Sequence, residues 1–147
     1  MSRYRKTLRE QITAMSKFWP MFRVGKRDRI QRSAVWTGTL KPQFTSYRIE
    51  VRYEVGCRPE VRVLSPKLER IPGNPEGSLP HVYGPSEDPT LCLYDPKTDE
   101  WNSTMLIAEK IIPWTIDWLT FYEFWLMTGT WSGGGRHPAV LTEELPT

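Results

Sequence analysis

At 147 residues the chain is about one domain long, enough to bury a core without disulfide or metal staples. Apolar residues make up 39% and charged residues 25%, which excludes wholesale disorder, and no window approaches the roughly 18 consecutive apolar residues of a membrane span. Net charge is +3, but residues 1–70 hold 17 Lys/Arg against 6 Asp/Glu while residues 71–147 hold 3 against 11, balances of +11 and −8. A basic half of this kind steers nucleic acid, an anionic membrane or an acidic protein, or is simply a solvated face or one turned toward the acidic half.

In chain order, Leu8, Ile12, Met15 and Trp19 step by 4, 3 and 4, a helical stripe within residues 3–22 that Pro20 should close. Core packing is the expected use of that stripe. Three strand-like runs follow: Ala34 to Leu40 around Trp36, then Tyr47 to Val55, which alternates apolar and charged, then Glu60 to Leu64. Gly56-Cys57-Arg58-Pro59 reads as the turn between the last two, and short connections favour an antiparallel meander. Cys57 in that turn reads as an ordinary surface cysteine.

Residues 65–90 carry Pro66, Pro72, Pro75, Pro80, Pro85 and Pro89 with Gly73, Gly77 and Gly84 between them, so neither helix nor central strand fits. The apolar run Thr90-Leu91-Cys92-Leu93-Tyr94 then suggests a long loop laid against the core to present something. From Ser103, Ile107, Ile111, Trp114, Trp118, Phe121 and Trp125 form a second helical stripe. Ser103 or Thr104 is the expected cap, Pro113 predicts a kink or two helices, and Gly129 is placed to end the run. The glycine-rich stretch from Trp131 to Pro138 lacks the Lys-Ser/Thr of a phosphate-binding loop.

Chemistry is sparse. The basic start, Met1-Ser2-Arg3-Tyr4-Arg5-Lys6, has no apolar core after it, so no secretory signal is expected. Two cysteines are too few for a disulfide scaffold, which points to a reduced cytoplasmic chain. There is no HExxH and no GxSxG. Cys57, Cys92, His81 and His137 match no short-range zinc spacing, so no metal and no cofactor are expected. What remains is His81, ten residues, then Cys92, a pair that suits either a thiolate nucleophile or a buried inert cysteine.

The order of parts resembles the ubiquitin-conjugating (UBC) fold: a helix, an antiparallel meander, a proline-rich loop with His and Cys, then a Trp and helices. That resemblance implies an α+β fold with an N-terminal helix, a meander sheet, a long active-site loop and C-terminal helices, in one domain over 1–147. His81-Val82-Tyr83 stands where that family has His-Pro-Asn, Leu91-Cys92-Leu93 where it has its catalytic cysteine, and Trp101 where a Trp often precedes the next helix.

A narrower resemblance rests on those runs together with Trp114 to Trp118, Phe121-Tyr122-Glu123-Phe124-Trp125 and Thr128 to His137. These look like the bacterial UBC-like proteins of CBASS, the cyclic-oligonucleotide signalling defence against phage. The resemblance implies that Cys92 joins the C-terminus of a CD-NTase, the cyclic-nucleotide synthase related to cGAS, as a thioester. An amine then receives that C-terminus, and attachment raises the synthase's signalling. Cys92 and His81 are thus the catalytic candidates, His81 chiefly to orient the loop. Asp95 or Asp99 is available to deprotonate the amine, although Asp95 also suits the turn before Pro96. Tyr83 replaces the family's Asn, a group thought to support the loop or the oxyanion, so Asn102, His137 or backbone N–H groups near Cys92 become the candidate substitutes. Without an ATP site, the donor must arrive activated. The alternative is a catalytically inactive UBC-like module that regulates its partner by contact. A nucleic-acid partner is not expected, since the basic half shows no docking motif and no aromatic interleaving.

Overall fold

The computed structural model describes residues 4–95 and 97–132. It is an α+β fold consistent with the UBC class. Helix α1 (Leu8–Phe18) opens it, strands β1 (Arg23–Asp28), β2 (Ser33–Leu40), β3 (Tyr47–Glu54) and β4 (Glu60–Ser65) form an antiparallel sheet in sequential order, and helix α2 (Ile107–Thr128) closes it. Between sheet and α2 lie two short paired strands, β5 (Val82–Tyr83) and β6 (Thr90–Leu91).

The meander follows from the alternation of its sequence. Along β3, Tyr47, Ile49, Val51 and Tyr53 are buried while Arg48, Arg52 and Glu54 face water. Across the ladder Trp36 of β2 stands opposite Val51, and Val61 of β4 opposite the same residue, so one face carries the core. Met15 of α1 and Ile107, Ile111, Ile112, Leu119 and Trp125 of α2 are fully buried against it.

Strand β1 escapes the hydrophobic reading because it has no pattern to read: Arg23, Gly25, Lys26 and Arg27 are exposed on an edge. Most of the basic first half lies in water in the same way, a solvated face, although Arg62 bridges Glu50 (3.1 Å) and Asp88 (3.2 Å).

Helix α1 starts with a capping box: Thr7 Oγ1 accepts the Glu10 amide (3.1 Å), and Glu10 Oε1 accepts the Thr7 amide (2.8 Å). The second helix departs from expectation at its start. It begins at Ile107, not Ser103, because the Asn102 side chain accepts the Thr104 amide and its carbonyl accepts the Met105 amide, bending residues 102–105 into a turn. Neither Ser103 nor Thr104 caps it. The cap comes from α1, where buried Gln11 accepts the Ile107 amide through Oε1 (2.9 Å) and donates to the Met105 carbonyl through Nε2 (2.9 Å). At Pro113, where a kink or two helices was expected, α2 runs on as one helix rather than two. The proline lacks the N–H that would bond Glu109, a residue exposed to water, and Ile111, Ile112 and Thr115 hold the flanking turns in the core. Gly129 ends the helix as predicted, at φ 79° with its amide on the Trp125 carbonyl.

The proline-rich loop is tied to α2 and to the residues just after it. The Tyr122 hydroxyl accepts the Glu69 amide (2.7 Å), Asn74 Nδ2 donates to the Gly129 carbonyl (2.7 Å), and Glu76 accepts the Trp131 amide (2.9 Å). Trp118 reaches furthest toward Cys92, its indole donating to the His81 carbonyl (2.9 Å).

Candidate functional site

Cys92 follows directly on β6, and its amide donates to the His81 carbonyl at 3.0 Å. That carbonyl therefore takes two donors, Cys92 from the hairpin and Trp118 from α2. His81 adopts φ 60°, the left-handed region uncommon for side chains other than glycine, and its ring lies 4.8 Å from that of Trp131. The residue thus spends its backbone on fixing the cysteine loop to the helix.

Pairing sets what surrounds the sulfur. Val82 stands opposite Leu91 and Tyr83 opposite Thr90, so Tyr83 and Cys92 are diagonal neighbours on one face of the hairpin. The single S–H of Cys92 has two acceptors in reach, the Tyr83 hydroxyl at 3.3 Å and the Tyr94 carbonyl at 3.6 Å. The Arg58 guanidinium, from the β3–β4 turn, sits 5.5 Å from the centre of the Tyr83 ring. A cleft of about 430 Å³ opens next to this group, lined by the chain neighbours Leu91 and Leu93 of Cys92 and by Arg58, Tyr83, Gly84 and Tyr94 among others.

Cys92 is 6% exposed, and burial pushes its thiol above the ordinary range. The Tyr83 hydroxyl, the Arg58 charge and the Tyr94 contact pull the other way, while the Asp95 charge adds to the rise. Tyr83 is pushed up to about 12, first by burial and then by Cys92, with Arg58 opposing.

The other predicted residues fare differently. Asp95 acts on the thiol through its charge, and one of its carboxylate oxygens, Oδ1, holds a turn by accepting the Lys97 amide at 2.9 Å. Asn102 gives its amide to Asp99 (3.2 Å) and its oxygen to Thr104, so that pair shapes the approach to α2. His137 lies outside the described residues. Cys57 is exposed on the cleft wall. Among the described residues no three His, Cys, Asp or Glu side chains converge as a metal site, and no helix is long and apolar enough to cross a membrane. Arg58 and the Tyr83 hydroxyl were not singled out from the sequence as partners of the thiol. Tyr83 had a signal, two residues beyond a His that is separated by ten residues from a cysteine. Arg58 had none.

The model of the family described as Type II CBASS E2 protein matches residues 11–138. The chain belongs to that family. No curated protein matches it. The match runs from within α1 past α2, so in this CBASS E2 protein it covers the whole sheet, the hairpin before Cys92 and the helix behind it. Membership assigns the chain to CBASS anti-phage systems and to the UBC-like class that the fold already indicated.

Proposed function

We propose that this CBASS E2 protein is a cysteine-dependent, ubiquitin-conjugating-like acyl transferase that carries the C-terminus of a CD-NTase on Cys92 and delivers it to an amine, raising the synthase's signalling. The observation carrying this reading is the setting of Cys92: its backbone is fixed by His81 and Trp118, its thiol is bonded to the Tyr83 hydroxyl, and Tyr83, Leu91 and Leu93 around it line an open cleft with a guanidinium in its wall. The Cys92 thiolate attacks the carbonyl of a C-terminus supplied as an acyl adenylate or thioester by a separate activating enzyme. The activating group leaves and a Cys92 thioester forms. A lysine amine then attacks that carbonyl and loses its proton, which we assign to Asp95; the C–N bond forms and Cys92 departs as thiolate. His81 acts as a positioning residue through its carbonyl.

One observation favours a second reading, in which the protein regulates its partner by contact alone: the Cys92 side chain is buried and its thiol raised, as in inert structural cysteines. Co-expression with the CD-NTase of the same operon separates the two. Intact-mass spectrometry and non-reducing gels compare wild type, Cys92→Ala and Cys92→Ser, with and without reductant and hydroxylamine. The proposal expects a partner adduct that needs Cys92 and is cleaved by hydroxylamine. An adduct cleaved by reductant alone is a disulfide. Absence of any adduct, with Cys92→Ala still supporting the partner's activity, makes the protein a binding module.

A further inference from the structure

The acyl-transfer steps create negative charge twice, on the Cys92 sulfur and on the carbonyl oxygen of each tetrahedral intermediate, and a buried site must meet both. Tyr83 is the side chain whose hydroxyl touches the sulfur, at 3.3 Å. Tyr83 also lines the cleft, which Cys92 itself does not, so Tyr83 touches both the sulfur and the space from which an acyl group would enter. Two contacts hold the ring in place: the hairpin pairing of its backbone to Thr90, and the Arg58 guanidinium 5.5 Å from its centre. An oxygen on a carbon newly bonded to the Cys92 sulfur lies within the sweep of the same hydroxyl.

We propose that the Tyr83 hydroxyl is a catalytic hydrogen-bond donor, serving first the Cys92 thiolate and then the acyl oxyanion, with Arg58 holding its ring. This rests on the acyl-transfer reading of Cys92. In the neutral site the thiol donates to the phenol oxygen. When the thiol ionises, the phenol O–H turns and donates to sulfur. As the S–C bond forms, the charge moves to the carbonyl oxygen and the O–H follows it. The oxyanion then collapses and expels the donor's leaving group. No proton leaves Tyr83 in either step, in keeping with a phenol pushed up to about 12. The groups whose charge or hydrogen bonds act on the thiol are Tyr83, Arg58, Asp95 and Tyr94, and of these Tyr83 and Arg58 favour the thiolate with side-chain groups.

The test uses the full chain carrying Cys57→Ser, so that Cys92 alone reports, and compares it with the same chain carrying Tyr83→Phe as well. Phenylalanine keeps the ring beneath Arg58, and thermal unfolding checks that the fold is retained. Thiolate absorbance against pH, corrected with a Cys57→Ser/Cys92→Ser chain, reads the thiol without any partner. Single-turnover acylation by a short peptide bearing a mercaptoethanesulfonate thioester reads the transfer by intact mass, forming the Cys92 thioester and releasing mercaptoethanesulfonate. Tyr83→Phe should move the thiolate titration to higher pH. It should also slow acylation by about 100-fold at equal thiolate content, the usual effect of losing one oxyanion donor. An unmoved titration, or an acylation rate that falls only in step with the thiolate, overturns the inference and leaves the acyl-transfer reading standing. Failure of the wild-type cysteine to accept the acyl group at any pH overturns that reading, and the inference with it.

Discussion

Gln11→Met tests whether α2 is capped from α1. Gln11 is fully buried, donating to the Met105 carbonyl and accepting the Ile107 amide, both at 2.9 Å. Methionine has similar length and volume, so the change removes two hydrogen bonds without opening a cavity. The Ile107 amide is buried and is left with no acceptor, whereas the Met105 carbonyl is only part-buried and regains some water. With about 1–3 kcal/mol for each orphaned buried group, the sum is about 2–4 kcal/mol. For a chain of this size that is roughly 5–12 °C in the unfolding midpoint. Urea titration followed by tryptophan fluorescence should show a lower midpoint at unchanged slope. Gln11→Glu adds a sign test. A protonated carboxyl can make both bonds, whereas a carboxylate turns an oxygen on the Met105 carbonyl. Its folded pKa is therefore raised, and its stability is greatest below the unfolded value of about 4.3 and lost as pH rises through the folded value. A Gln11→Met chain within about 0.5 kcal/mol of wild type, or a pH-independent Gln11→Glu deficit, would refute the reasoning.

Two further outcomes follow from burial. A Cβ at Gly38 would lie 2.6 Å from Cγ of the buried Phe22 ring, so Gly38→Ala should cost about 1–3 kcal/mol by overpacking; an unchanged urea midpoint argues against this contact. Burial also raises Tyr47, Tyr53, Tyr83, Tyr94 and Tyr122. Above the unfolded tyrosine value of about 10 the native state then holds more protons than the unfolded one, so stability falls as pH climbs. These five should ionise together with loss of circular dichroism, and reversible ionisation near pH 10 in a folded chain would contradict it.

How much was legible in the sequence differs element by element. The stripes of α1 and α2, the alternation of β3 and the stop at Gly129 were readable because each is a local periodicity or a backbone requirement that a few adjacent residues express. The order of parts, with His81 and Cys92 among its motifs, carried the resemblance that the family match to residues 11–138 bears out. Strand β1 was hidden because an exposed edge strand needs partners rather than apolar residues. The start of α2 and its passage through Pro113 were decided by tertiary packing, since Gln11 lies 96 residues from the amide it caps. The environment of the thiol belongs to the same class. Cys92 and Tyr83 meet because the β5–β6 pairing puts them on one face, and Arg58 arrives from a turn between two other strands. A chain's sequence specifies which residues can ionise, donate or attack. Which of them share a desolvated space, and hence how strongly each shifts the others, is a property of distances that only the folded chain possesses.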